Sequence, residues 1–348
     1  MNKWMIYGAT GYSGQLIVEQ AVAQGLNPVL AGRSEEKVKT LAAQYNLPFQ
    51  VFSIDELAKD HGLLADMFLV LNCAGPFSQT AAIMMEACLY QKSHYLDITG
   101  EIDVFELAAS LDKTAQNAGV VLCPGVGFDV IPTDCVASQL KQMMPDATQL
   151  TLGFDSRSGF SPGTAKTSVE ALPYGGKVRE NGVIKHVPLA FKTRKIDFGG
   201  GEKLAMTIPW GDVSTAYHNT KIPNIEVYIP ASLGLVKKMK RMNFLRPILG
   251  WRWIQNIIKN KIEKKVKGPS ESTRQALTTH VWGEVKNEAG DVKTLRILTS
   301  NGYELTAQGS VHIAAAMLTG VNRSGYQTPA MLMGADLVNK LPGTSKLD

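Results

Sequence analysis

Cysteine is scarce in this chain. The four present, Cys73, Cys88, Cys123 and Cys135, all lie in the first 135 residues without CxxC spacing. That distribution excludes a zinc ribbon and a disulfide framework, and the four read as reduced core thiols. Uninterrupted apolar runs of the roughly 18 residues that a spanning helix requires are absent too. Internal repeats and low-complexity tracts are missing, which excludes solenoids and disordered arrays. A net charge of only +5 is too mild by itself to imply nucleic acid. The opening residues, Met1-Asn2-Lys3-Trp4, run straight into a strand without a charged n-region, so the expected location is cytoplasmic. What remains is 45% hydrophobic and 19% charged over 348 residues. Such a chain buries a large core, and it exceeds the roughly 250 to 300 residues at which single cores stop growing. Two domains are therefore expected.

Residues 1–130 alternate short apolar runs with polar-faced helical stretches. The runs are Trp4–Tyr7, Val29–Ala31, Phe49–Phe52, Phe68–Cys73, Tyr95–Ile98 and Val120–Cys123. Six strands separated by helices describe an α/β fold, a doubly wound parallel sheet that binds ligands at its carboxyl edge. After Pro132 the runs lengthen and glycine turns multiply, so residues 131–306 are expected to form a second α+β domain on a mixed or antiparallel sheet. It would carry the substrate and any homodimer contacts. Residues 307–348 return to helical spacing, with helices expected over Val311–Leu318 and Ala330–Leu341 packing back on the first domain.

Between the first strand and its helix lies Gly8-Ala9-Thr10-Gly11-Tyr12-Ser13-Gly14. Gly8 permits the bend, Gly11 lets backbone approach a pyrophosphate, and Gly14 allows close helix packing, as in a Rossmann dinucleotide loop. A glycine turn serving helix packing alone would not require three glycines. The second strand ends in Ala31-Gly32-Arg33-Ser34, where an NAD-binding domain would place an acid for the ribose 2′-hydroxyl. Arg33 suits a 2′-phosphate and Ser34 adds a hydroxyl while capping the next helix, so NADP (NADPH) is the expected cofactor. The alternative is a solvated arginine at a strand end. The fourth strand ends in Asn72-Cys73-Ala74-Gly75-Pro76-Phe77, and Ala74, Gly75, Pro76 and Phe77 are expected to let the cofactor cross the sheet edge. Tyr95 to Glu101 and Gly125 to Asp134 end the next two strands, and Asp129 is expected beside the nicotinamide. Some of these carboxylates would only cap helices.

The second domain supplies Ser158 to Ser168, a hydroxyl-rich stretch containing Lys166 that precedes a helix, and Pro209-Trp210-Gly211-Asp212 followed by Tyr217-His218. Reducing a polarised double bond needs a hydride and a proton or hydrogen bond for the charge that develops. Tyr217 and His218 are the candidate donors, with Asp129 and Lys166 as further ones. A structural histidine is the plain alternative. Residues 235–267 hold eleven Lys and Arg against one acid, Glu263, interleaved with Phe244, Trp251 and Trp253. A basic amphipathic stretch with tryptophans reads as an anionic membrane surface or a carrier-protein dock, or as a solvated face over core. No nucleic-acid-binding module is recognisable.

These residues resemble the saccharopine dehydrogenase-like oxidoreductases, a group that includes the mycobacterial trans-acting enoyl reductases. The likeness rests on the Gly8–Gly14 loop, Ala31 to Arg33, Asn72 to Phe77, Tyr95 to Glu101, Gly127-Phe128-Asp129, and the second-domain motifs Ile208 to Tyr217 and Ile222 to Tyr228. It implies an N-terminal NAD(P) domain, a mixed-sheet second domain and a C-terminal return. Function is then expected to be NADPH-dependent reduction of a C=C or C=O bond in a lipidic or carrier-bound acyl substrate, with no metal. A catalytically silent NADP-binding adaptor to a membrane or partner is the alternative.

Overall fold

The computed structural model describes residues 2–156, 162–265, 268–320 and 323–347. The chain divides into two compact units, Met1–Ile131 with Tyr303–Leu337, and Pro132–Gly302 with Val338–Asp348.

In the first unit, β-branched and other apolar residues form β1 (Trp4–Tyr7), β2 (Val29–Gly32), β3 (Phe49–Val51), β4 (Leu69–Asn72), β5 (His94–Asp97) and β6 (Val121–Cys123). Helices α1 (Tyr12–Ala23), α2 (Glu35–Tyr45), α3 (Ile54–Leu57), α4 (Phe77–Gln91), α5 (Ile102–Ser110) and α6 (Asp112–Ala118) connect them. Every residue of β1, β2, β4 and β5 is buried, as a parallel strand covered on both faces requires. The late β15 (Gly325–Tyr326) joins β6 in parallel, giving the order β15-β6-β5-β4-β1-β2-β3. The order reverses beside β1, so the loops after β1 and β4 flank the crevice where such sheets bind ligands.

The second unit begins with α7 (Ile131–Met143), whose first residue falls in the first unit. Its strands are β7 (Gln149–Ser156), β8 (Gly176–Glu180), β9 (Val183–Val187), β10 (Thr193–Asp197), β11 (Glu202–Ile208), β12 (Asn224–Pro230), β13 (Thr278–Lys286), β14 (Val292–Ser300) and β16 (Ser345–Lys346). They run β10-β11-β12-β7-β13-β14-β16, with the β8–β9 hairpin attached to β12. Among the described residues, β12 and β7 alone pair in parallel, so the sheet is mixed. Val136 and Leu140 of α7 press onto Gly283 of β13, where a Cβ would meet them at 2.5 and 2.7 Å. The other helices are α8 (Pro162–Ala171), α9 (Asp212–Thr220), α10 (Leu233–Met242), α11 (Arg246–Leu249), α12 (Arg252–Lys265) and α13 (Glu271–Ala276). The chain then returns to the first unit through α14 (Gly302–Thr319) and α15 (Pro329–Met333).

Three features depart from the sequence-based expectation. The hairpin β8–β9 and strand β11 carry charged residues at positions that blur the two-residue alternation, and β9 is mostly exposed. The helix expected over Ala330–Leu341 stops at its C-cap Gly334 and gives way to a 3-10 turn at Leu337–Lys340. Residues 338–348 belong to the second unit instead of the first, because β16 pairs with β14 through Ser345 and Lys346.

Candidate functional site

The chain leaves β1 at Gly8, which takes a left-handed φ of +80°. A Cβ on Gly8 would stand 2.7 Å from the backbone nitrogen of Ala74, so the turns after β1 and β4 touch backbone to backbone. A Cβ on Gly14, in the first turn of α1, would run into the carbonyl oxygen of Gly8. These two close approaches fix the amino end of α1 against the carboxyl edge of the sheet. Gly11 is the N-cap of that helix, no side chain caps it, and no acid stands in its first turn. The helix therefore presents N–H donors and the positive end of its dipole in a cradle that admits an anion's close approach. Thr10, Tyr12 and Ser13 are half-buried around the turn. The Thr10 carbonyl accepts a hydrogen bond from Gln15 at 3.2 Å, and the Tyr12 ring meets Tyr303 of α14 edge-on at 5.1 Å.

At the end of β2, Arg33 is exposed and projects its charge near Tyr7. Burial pushes the Tyr7 hydroxyl up to about 12, and Arg33 pulls the other way. Ser34 holds the N-cap position of α2, but its side chain makes no cap hydrogen bond. The capping role expected of Ser34 is thus corrected, since its hydroxyl is not turned onto the helix.

The turn after β4 is built by hydrogen bonds. Asn72 is fully buried; its Oδ1 accepts from Ala74 N at 3.0 Å and its Nδ2 donates to Thr80 Oγ1 at 3.2 Å. Thr80 in turn donates to the Ala74 carbonyl at 2.7 Å. Gly75–Pro76 is a cis peptide, and α4 starts at Phe77. The carboxylate of Glu101 caps that helix, accepting from Phe77 N at 2.9 Å and Ser78 N at 2.8 Å. A carboxylate therefore already occupies the amino end of α4, whereas that of α1 carries no side-chain cap and no acid in its first turn. Asp97 ties the β5 and β6 ends together: Oδ2 accepts from Tyr95 OH at 2.6 Å, and Oδ1 accepts from Thr99 N at 2.9 Å and Gly125 N at 2.8 Å. Asp129 lies over Gly100, where a Cβ would be 2.8 Å from its Oδ2. The β6 turn is pinned from α14, with Thr306 Oγ1 accepting from Phe128 N at 3.0 Å.

Residues 4–123 match the family model for the saccharopine dehydrogenase NADP binding domain. Residues 4–123 are thus similar to the NADP-binding domain of saccharopine dehydrogenases. Among curated proteins, the chain is 28% identical over 156 residues to a human saccharopine dehydrogenase-like oxidoreductase, covering 37% of this chain and 35% of that protein. It is also 28% identical over 183 residues to the trans-acting enoyl reductase of Mycobacterium tuberculosis (strain ATCC 25618 / H37Rv), covering 48% of this chain and 44% of that protein. The chain thus spans less than half the length of these curated relatives. The fold matches the apo saccharopine dehydrogenase (L-Glu forming) of Saccharomyces cerevisiae with a TM-score of 0.63 and 12% identity, over 97% of this chain and 96% of that one. The match supports NADP(H) as the cofactor, and the glycine contacts and uncapped helix end after β1, with the exposed Arg33 after β2, fit that cofactor.

Two carboxyls in the NADP domain titrate far from the ordinary value near 3.8. Burial pushes both Asp97 and Asp129 up to about 7; for Asp97 the donors Tyr95, Thr99 and Gly125 oppose the rise. A raised carboxyl binds a proton in the native state before it does so unfolded. Stability is then expected to fall as pH rises from about 4 to about 7 and to level off above that. Urea midpoints across this window check it: the Asp97→Asn and Asp129→Asn chains should each show a flatter profile than the parent. Parallel profiles in all three would contradict the assignment.

The second unit distributes its candidate residues differently from the sequence expectation. The Tyr217 ring lies under the guanidinium of Arg179 at 4.2 Å, and its hydroxyl faces Gly182 of the β8–β9 turn, where a Cβ would be 3.4 Å away. Arg179 is buried and donates to the carbonyls of Val213 and Gly182 at 2.8 and 2.7 Å. Tyr217 thus has a packing role on α9. His218 follows it, half-buried, with the two rings edge-on at 5.8 Å. Trp210 packs on Phe154 at 4.8 Å, with its indole N–H buried and without a hydrogen-bond partner among the described residues. Lys166 falls on α8, but its side chain lies outside the described residues, as do residues 158–161. The first unit therefore brings the turns after β1 and β4 together at Gly8 and Ala74 and sets Asp129 over Gly100, and α9 brings together Tyr217 and His218. Sequence reading missed Thr306 and Tyr303, which reach the cofactor turns from far along the chain and carry no local signal. Asn72 was legible in principle, because an Asx turn after a strand favours Asn followed by small residues.

Proposed function

We propose that the chain is an NADPH-dependent oxidoreductase that reduces a C=C or C=O bond of a lipidic or carrier-bound acyl substrate. The observation that carries the reading is Asp129, a protonatable carboxyl set over Gly100 at the carboxyl ends of β5 and β6 in an NADP domain. NADPH supplies a hydride when bound. Asp129 holds a proton near neutral pH and offers it, or a hydrogen bond, to the charge that hydride addition leaves on the substrate. The Tyr95–Asp97–Asn72 network keeps the neighbouring turns in place. The likeness to a trans-acting enoyl reductase supports an unsaturated acyl group as the substrate class.

The test follows NADPH fluorescence during incubation with α,β-unsaturated acyl thioesters and long-chain carbonyl compounds. Asp129→Asn should lower kcat by about 100-fold, the usual contribution of a positioned general acid, with NADPH affinity unchanged. Full turnover in that variant would move the donor role to His218. The packing of Tyr217 favours a second reading, a catalytically silent NADP-binding adaptor. Oxidation of NADPH by any of these substrates would eliminate it.

A further inference from the structure

We infer that the outward surface running from α10 to α12 docks on an anionic lipid bilayer. The inner side of this segment is tied down. Val236 is buried with Ala190, Met206 and Ala231. Asn243 accepts from Leu189 N at 2.8 Å and donates back to the Leu189 carbonyl at 3.2 Å. Arg246 donates through Nε to the Pro173 carbonyl at 3.0 Å, and Gln255 donates to that of Val169 at 3.1 Å. Arg246 is therefore a structural tether and no part of the free cationic surface.

With the inner side anchored, several described side chains of the segment are left exposed. Phe244 is 87% exposed, Trp251 54% and Trp253 59%, and the two indoles sit 6.2 Å apart. Leu233, Leu245 and Ile257 of the same segment are exposed as well. Single exposed apolar residues are ordinary, whereas a run of them on consecutive elements marks an interaction surface. Beside them, Lys237, Lys238 and Arg241 surround a recess completed by Gly234, Met242 and Leu245. No acid stands on α10. Protein partners usually receive aromatic anchors in pockets ringed by polar groups. Here the aromatics protrude from a cationic surface, so the complementary surface is anionic outside, apolar beneath and deformable. A bilayer leaflet has that layering, with indoles at headgroup depth and cations on phosphates. None of the described helices is long and apolar enough to cross a membrane, which confines the contact to the interface.

The inference rests on the reading of a lipidic substrate for its purpose. Vesicle binding is measured without turnover, and turnover on a short soluble thioester needs no vesicle, so either can fail alone. The full chain is sedimented with phosphatidylcholine vesicles and with vesicles that also carry phosphatidylserine, at low and high salt. Binding is expected only to the anionic vesicles and should be released by salt, because exposed charges are screened over about 8 Å at physiological ionic strength. Replacing Lys237, Lys238 and Arg241 by Ala should weaken it about 100-fold, at roughly fivefold for each cation. Trp251→Ala with Trp253→Ala should weaken it at least about tenfold. A parental circular dichroism spectrum and urea midpoint show that each variant is folded. Binding that ignores lipid charge or no binding overturns the inference. So does binding to soluble polyglutamate that survives the tryptophan exchange, which would identify an acidic protein as the occupant.

Discussion

A Gly8→Ala chain is expected to lose NADPH affinity by about 100-fold or more, and to lose about 2 to 5 kcal/mol of stability with it. The stability loss has two sources. A Cβ at this position would sit 2.7 Å from Ala74 N, 2.9 Å from the Cys73 carbonyl carbon and 3.0 Å from Ala74 Cα. All three are backbone atoms, so no side chain can swing aside, and overpacking of this kind costs about 1 to 3 kcal/mol. Holding an L-residue at φ +80° adds about 1 to 2 kcal/mol. The affinity loss follows from the same contact. Relief requires the β1 turn and the β4 turn to separate, which moves the first turn of α1 off the phosphates. Displacing a positioned group by about an ångström costs about two powers of ten. Isothermal titration with NADPH and urea unfolding measure the two effects. Parental affinity in the Gly8→Ala chain would show that the turn does not hold the pyrophosphate.

Arg33→Ala should weaken NADPH binding about 10- to 100-fold while leaving NADH binding and stability where they are. A charge-assisted hydrogen bond is worth about 1.5 to 3 kcal/mol, and each tenfold change corresponds to about 1.36 kcal/mol. Arg33 is exposed, and surface exchanges of this type stay within about 0.5 kcal/mol of the parent. The loss is therefore a cofactor effect alone. Arg33→Lys should recover only part of it, because an ammonium cannot meet a phosphate with the planar fork of a guanidinium. The Arg33 contribution should also shrink below about pH 6, where the 2′-phosphate dianion takes up a proton and becomes a monoanion. Equal losses of NADPH and NADH affinity would place Arg33 on some other part of the cofactor.

The parallel sheet and its glycine loop were legible because both are written locally. Buried parallel strands must be short apolar runs, and a turn that meets both a neighbouring turn and a helix must be glycine at Gly8 and Gly14. The basic stretch was legible as composition for the same reason, since eleven cations over residues 235–267 appear in any reading of the chain. Tertiary structure alone decided what each polar side chain faces. Glu101 and Asp97 stand in one motif, yet the first caps α4 across 24 residues and the second joins the ends of β5 and β6. Tyr217 and His218 are neighbours on α9, but the fold lays Tyr217 on Arg179 from another strand. Thr306 pins Phe128 from 178 residues away, and β16 carries the last residues to the second sheet. Backbone conformation and hydrophobic period depend on near neighbours and so can be read in order along the chain. Hydrogen-bond partners and burial depend on which distant segments pack together, so only the folded chain assigns them.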